Sequence, residues 1–276
     1  MVSVFFMWSY WNSHIGKLDF LHFWRYDGFI ISQRGNLMYG LGTIINTAAI
    51  VAGGFFGHIF GRLLHENAQD TLTKVCGVST LFIAISGALE GMLTVEGSTV
   101  TSSGAMLIII CLAIGALIGE LLNIEDGFER FGQWLKVKTG NAKDKGFVDA
   151  FVTASLTVCI GAMAIVGAIQ DGIAGDYSIL ATKAVLDLII IAVMTCSLGK
   201  GAVFSAIPVA IFQGSITLLA GLIRPIMTAA ALANLSLIGN VLIFCVGINL
   251  VWGKKIKVAN LLPAIVVAVI AAFLPI

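Results

Sequence analysis

The chain has 276 residues, 58% of them hydrophobic and only 11% charged, with a formal net charge of +1. Soluble domains carry about 25% charged residues, so this composition cannot cover a water-soluble surface, and the near-neutral balance gives nucleic acid nothing to bind. The five cysteines, Cys76, Cys111, Cys159, Cys196 and Cys245, lie inside apolar runs without CxxC or Cys/His spacing; they read as small core residues, and no metal, no cofactor and no enzymatic constellation is expected.

Residues 1–37 form the first element. They mix aromatics with His14, Lys17, Asp19, His22, Arg25, Asp27 and Arg34, too broken for a span and unlike a secretory signal. This N-terminal extension reads either as a surface-lying aromatic segment or as an upstream stretch before a true start at Met38. The second reading rests on Gln33, Arg34 and Gly35, whose codons can form a purine-rich tract resembling a ribosome-binding site.

Residues 38–276 read as a single integral membrane domain. Eight apolar runs follow in order: Leu41 to Leu63, Leu72 to Leu93, Ser103 to Leu122, Phe147 to Ile169, Tyr177 to Leu198, Val203 to Leu222, Leu232 to Trp252 and Val258 to Ile276. Each is long enough to cross about 30 Å of hydrocarbon as a helix, and lipid leaves backbone groups no other partner. The fold class is therefore an all-α polytopic membrane protein of about eight transmembrane helices. Lys and Arg concentrate after the third run (Arg130, Lys136, Lys138, Lys143, Lys145) and after the seventh (Lys254, Lys255, Lys257). Those loops belong in the cytoplasm by the positive-inside rule, which puts both termini outside a bacterial inner membrane.

Gly54, Gly61 and Gly87 recur 160 positions later as Gly214, Gly221 and Gly247, and Leu72–Leu89 aligns loosely with Leu232–Asn249. This predicts an inverted three-helix repeat, residues 41–125 and 203–276, flanking an inserted helix pair at 147–198. Inverted repeats are common in secondary transporters, with the solute site at the repeat interface. Gly53, Gly57 and Gly61 on the first run, and Gly115 and Gly119 on the third, form small-residue stripes for close helix packing, either internal or in a homodimer.

Ionisable and amide groups within apolar runs are the candidate site, because a mid-bilayer charge costs several kcal/mol and is commonly functional. Lys183 and Asp187 stand four apart on one helix face. Thr157, Gln170 and Asp171 mark the fourth run, which is the least greasy; Asn46 lies in the first. In the sixth, Pro208 is expected to bend the helix just before Gln213. These residues predict a pathway for an unidentified small solute or ion, with Asp187 as the group that takes a proton or cation. The function expected is a secondary transporter or exporter. A channel-like pore or a non-transporting scaffold or sensor are the alternatives, and the lipid bilayer is the one partner composition demands.

Several stretches together resemble a bacterial membrane family, domain of unknown function 554. They are LGTIINTAAIVAGG from Leu41, FVTASLTVCIGAMAIVGAIQDGIAGDYS from Phe151, the Lys183–Asp187 segment, and FSAIPVAIFQG from Phe204. The resemblance spans Met38 to the C-terminus. It implies a multi-span inner-membrane protein of a kind labelled as a transporter, and supplies no substrate or residue roles.

Overall fold

The computed structural model describes residues 39–96 and 99–274; the reading of residues 1–37 lies outside the described residues. Helices dominate. They are α1 (Leu41–Gly61), α2 (Glu66–Met92), α3 (Ala105–Leu122), α4 (Ile124–Lys138), α5 (Phe147–Cys159), α6 (Ala162–Ala174), α7 (Ser178–Leu198), α8 (Ala206–Leu218), the single turn α9 (Ala220–Ile223), α10 (Ala229–Trp252) and α11 (Pro263–Ala271). A short antiparallel hairpin, β1 (Leu93–Glu96) with β2 (Thr99–Ser102), joins α2 to α3. Stretches of 3-10 helix, Lys200–Ser205 and Val258–Leu261, lead into α8 and α11.

Among the described residues, six helices are long and apolar enough to cross a membrane. A seventh span results if α5 and α6, bent by 64°, are counted together, and Val258–Ala271 is a shorter apolar helix. The eight expected runs therefore become six long helices, one broken pair and one short segment. Large apolar side chains face outward along them, Phe55 at 62% and Leu121 at 86% exposure among them. Such a surface is stable only against lipid tails, so this is a multi-pass membrane protein.

Without a hydrophobic force between helices in lipid, close packing decides which helices pair. On α1, Gly53, Gly57 and Gly61 meet Leu188, Ala192 with Thr195, and Cys196 of α7 in rising order, so the two helices run parallel. Gly77, Gly87 and Gly91 of α2 meet Leu250 with Val251, Asn240 and Leu237 of α10 in falling order, an antiparallel pair. Gly115 and Gly119 of α3 face Ala264 and Asn260 in the same opposed sense. Both glycine stripes are thus filled from within the chain.

The broken pair crosses the bundle. Its first residue, Phe147, abuts Gly201 just past the end of α7, while Asp171 near its other end reaches Thr43 near the start of α1. The break itself falls at Ile160 and Gly161, where Gly161 adopts φ 146° and ψ 148°, a conformation essentially reserved for glycine. Pro208, in contrast, lies in the first turn of α8, where no intrahelical bond is lost, so the expected bend in the sixth run is replaced by a 3-10 start.

One end of the bundle is built from charges. Glu125 Oε2 accepts the Ala259 amide at 2.9 Å, and its own amide donates to Asn260 Oδ1 at 2.7 Å, tying amphipathic α4 to the segment before α11. Lys254 bridges Glu125 at 3.0 Å and also Glu129, while Lys257 pairs with Glu120 at 3.2 Å. Partial burial works against the Lys254 charge, but its bonds to Glu129 and Glu125 prevail and hold it above the ordinary lysine value. Arg62 and Lys200, just past α1 and α7, and Lys74, in the first turns of α2, lie at this same end.

Candidate functional site

The parallel contact of α1 with α7 turns one polar stripe against another. On α7, Lys183, Asp187 and Thr195 recur at helical spacing on the face that meets α1, which supplies Thr43 and Asn46. From α8, Gln213 and Thr217, one turn apart, complete the set. All are buried inside protein rather than turned to lipid: Asn46 is 0% exposed, Gln213 1%, Asp187 3% and Lys183 7%.

At the centre, Lys183 Nζ donates to both carboxylate oxygens of Asp187, at 2.7 and 2.6 Å. Asn46 Nδ2 donates to Asp187 Oδ2 at 3.0 Å and to Gln213 Oε1 at 3.2 Å. Three helices, α1, α7 and α8, are thereby joined through one amide, that of Asn46, which bonds the Asp187 carboxylate on one side and Gln213 on the other. Asn46 Oδ1 and Gln213 Nε2 are left without hydrogen bonds, one acceptor and one donor. Each such vacancy in a buried position costs about 1–3 kcal/mol unless a ligand or water fills it. Cys159, the last residue of α5 before the break, lies within electrostatic range of both Lys183 and Asp187. Helix breaks free backbone carbonyls and amides that continuous helices consume.

A second polar level lies one turn away on both α1 and α8. Thr43 Oγ1 and Thr217 Oγ1 are 3.2 Å apart, and the Thr43 amide donates to Asp171 Oδ2 at 3.3 Å. Asp171 and Thr43 therefore belong to the same polar seam as Asn46. Two other sequence candidates do not join it. Thr157 turns back on its own helix, donating to the Thr153 carbonyl at 2.7 Å, and Gln170 is half-buried next to Asp171.

On the far side of the break, toward the charged end, is a cavity of about 330 Å³. Asp149, Val152, Thr153 and Leu156 of α5 form one wall, and Val246, Asn249 and Leu250 of α10 another. Lys74 and Asp70, both exposed and paired at 2.7 Å, stand at its rim with Glu125 and Lys254. The α5 face that lines it continues to Cys159, and hence toward Asp187.

Several participants are not evident from the chain alone. Thr43, Thr195, Ser205 and Thr217 are buried hydroxyls, and Thr195 and Ser205 lack partners. Thr195 stands eight residues, about two turns, beyond Asp187 and could have been found by extending the Lys183–Asp187 stripe. Glu125 carries no such signal, because its partners come from 129, 134 and 135 positions away.

No solved structure matches this chain. It is 28% identical over 232 residues to the uncharacterized membrane protein YdfK of Bacillus subtilis strain 168, covering 84% of this chain and 95% of YdfK. It is likewise 28% identical over 232 residues to the uncharacterized protein YqgA of Escherichia coli strain K12, covering 83% and 94%. The profile described as a protein of unknown function, DUF554, matches residues 41–273, a region that holds every polar group of the seam, and the chain belongs to this family of membrane proteins.

Proposed function

We propose that this protein is a secondary transporter or exporter of a small solute or ion in a bacterial inner membrane, with Lys183, Asp187, Asn46 and Gln213 as its binding centre. One observation carries the reading: a buried ion pair on one helix is tied through the Asn46 amide to two others near a break in a fourth, with an acceptor and a donor still unpartnered. A purely structural pair gains most when every polar atom is satisfied. Here the leftover Asn46 Oδ1 and Gln213 Nε2 are complementary to a solute that both donates and accepts.

The cavity on the charged side of the break supports a route from that end, and the buried seam beyond it supports a closed opposite half, as alternating access requires. Eight crossings in alternating directions are part of the reading. The parallel α1–α7 and antiparallel α2–α10 and α3–α11 contacts support that count, with the charged end cytoplasmic and both termini outside. So is the inverted repeat. Gly87 and Gly247, one from each proposed copy, let α2 and α10 press on each other at Asn240 and Leu81.

The test is flux in proteoliposomes, screened over candidate solutes under proton and sodium gradients. Substrate uptake that follows a gradient, and falls at least roughly tenfold in Asp187→Asn through loss of a charge-assisted contact, is the expected result. Unchanged transport in that variant rejects the role of Asp187. Uncoupled ion current points instead to a pore, and absence of flux with a partner retained in detergent points to a scaffold or sensor.

A further inference from the structure

Asp171 is the buried carboxylate that the central ion pair leaves unexplained. It is 0% exposed, yet no ion pair reaches it among the described residues. Lys183, on the neighbouring helix, directs both of its hydrogen bonds to Asp187. Oδ2 of Asp171 has one long bond, from the Thr43 amide at 3.3 Å, and Oδ1 has no partner. The residue also sits three positions before the end of the 13-residue α6, at the negative pole of the helix. Burial and the α6 dipole disfavour an anion there, the first turn of α1 offsets them only through that one long Thr43 bond, and Oδ1 is left bare. A buried charge in that position requires a compensating cation.

Leu180 closes one side of the carboxylate, and oxygens are gathered on another. Thr43 and Thr217, from two other helices, bring their hydroxyls within 3.2 Å of each other, and each keeps lone pairs beyond that one bond. Gly42 allows the α1 backbone to approach both Leu180 and the carboxylate, since a Cβ there would stand 2.8 Å from Leu180 Cδ1 and 3.1 Å from Asp171 Oδ2. Gly172 likewise lets α6 press against the Thr217 carbonyl. The last carbonyls of α6 have no intrahelical donors beyond the Gly175 amide, which the Asp171 carbonyl accepts at 3.2 Å. No group of three or more His, Cys, Asp or Glu among the described residues could hold a metal ion. One carboxylate among neutral oxygens matches a single positive charge and a hard ion, and the close approach of α6 to α8 favours a small one.

We infer that Asp171, with the hydroxyls of Thr43 and Thr217, forms a sodium site at the junction of α1, α6 and α8. The site joins the same three-helix seam as the central pair, because Thr43 and Asn46 are one turn apart on α1, and Thr217 and Gln213 one turn apart on α8. Sodium bound there holds α6 against α1 and α8 beside the α5–α6 break. Its role in driving solute movement rests on the transport reading; its existence does not.

The experiment measures binding without flux. Purified full-length protein in detergent, at fixed pH and ionic strength, is titrated with sodium chloride against choline chloride while the thermal unfolding midpoint is followed. Sodium is expected to raise the midpoint saturably, since a ligand bound only by the folded state stabilises it. The shift is expected to disappear in Asp171→Asn and to need roughly tenfold more sodium in Thr217→Val, which removes one oxygen and keeps the shape. Equal midpoints in sodium and choline for the wild type overturn the inference, as does a sodium shift that survives unchanged in Asp171→Asn. Stabilisation by acid alone, indifferent to sodium, assigns a proton to Asp171 and also overturns it. If Asp171→Asn does not fold, the wild type and Thr217→Val decide. A sodium shift in protein without flux leaves the site standing and rejects transport; flux without the shift does the reverse.

Discussion

Removing one partner of the Lys183–Asp187 pair should destabilise the protein more than removing both. The ammonium and carboxylate lie 2.6 and 2.7 Å apart, nearly sealed from water. At a separation of about 3 Å and an effective dielectric of about 20, their attraction is roughly 5–6 kcal/mol. That offsets a desolvation penalty of several kcal/mol per ion. Lys183→Met leaves Asp187 buried with only the Asn46 amide for support, and such an orphaned charge costs about 3–5 kcal/mol. In the double variant Lys183→Met with Asp187→Leu the charge is gone, and the remaining loss is the amide of Asn46 deprived of one acceptor, about 1–3 kcal/mol. Equilibrium unfolding in mixed micelles, monitored by helical ellipticity, measures both. A double variant destabilised by the sum of its two single changes would show that the residues do not form the isolated pair described here.

Three further outcomes follow from the packing and the charges. Gly57→Val adds a side chain whose Cβ would stand 2.8 Å from Thr195 Cβ and closer still to the Ala192 carbonyl; α1 and α7 must separate, with a loss of about 1–3 kcal/mol in equilibrium unfolding. Gly161→Ala forces a side chain onto φ 146°, a strain of about 1–3 kcal/mol, so the α5–α6 break should shift and Cys159 should change its rate of labelling by a small maleimide. At the charged end, Lys254 has a raised affinity for its proton in the folded state. Its contribution to stability is complete below the ordinary value of 10.5 and is lost as pH rises through the higher folded value. Wild type should therefore lose more stability than Lys254→Met between neutral pH and the alkaline side of that range, and parallel pH profiles would reject the clamp.

The sequence carries the class of this protein because class depends on local quantities. Long apolar runs with few charges can persist only as helices in lipid, whatever packs against them. Lys183 and Asp187 are visible for the same reason: a charge inside such a run needs a buried partner, and four residues place them on one face. Asn46 and Gln213 could be suspected, but nothing in the chain says that one Asn46 amide bonds both Gln213 and a carboxylate 141 positions away. That meeting depends on Gly53, Gly57 and Gly61 selecting α7 as their neighbour, a choice of shape between surfaces that no single run reveals.

Chain punctuation was misleading in one place and silent in another. Pro208 signals a bend, yet at the start of α8 its missing amide proton is harmless. Gly161, one glycine among 31, is where a helix breaks, because the turn demands a backbone conformation that only the folded surroundings specify. Asp171 shows the division most clearly. Its sequence position, just past the fourth run, marks it as a candidate without showing that it is buried. The tertiary structure instead brings it into the bundle against Thr43 and Thr217, with one oxygen unpartnered. Local composition determined that the chain is helical and membrane-embedded; which polar groups are stripped of water, and which are left wanting a ligand, was decided only when distant helices closed over them.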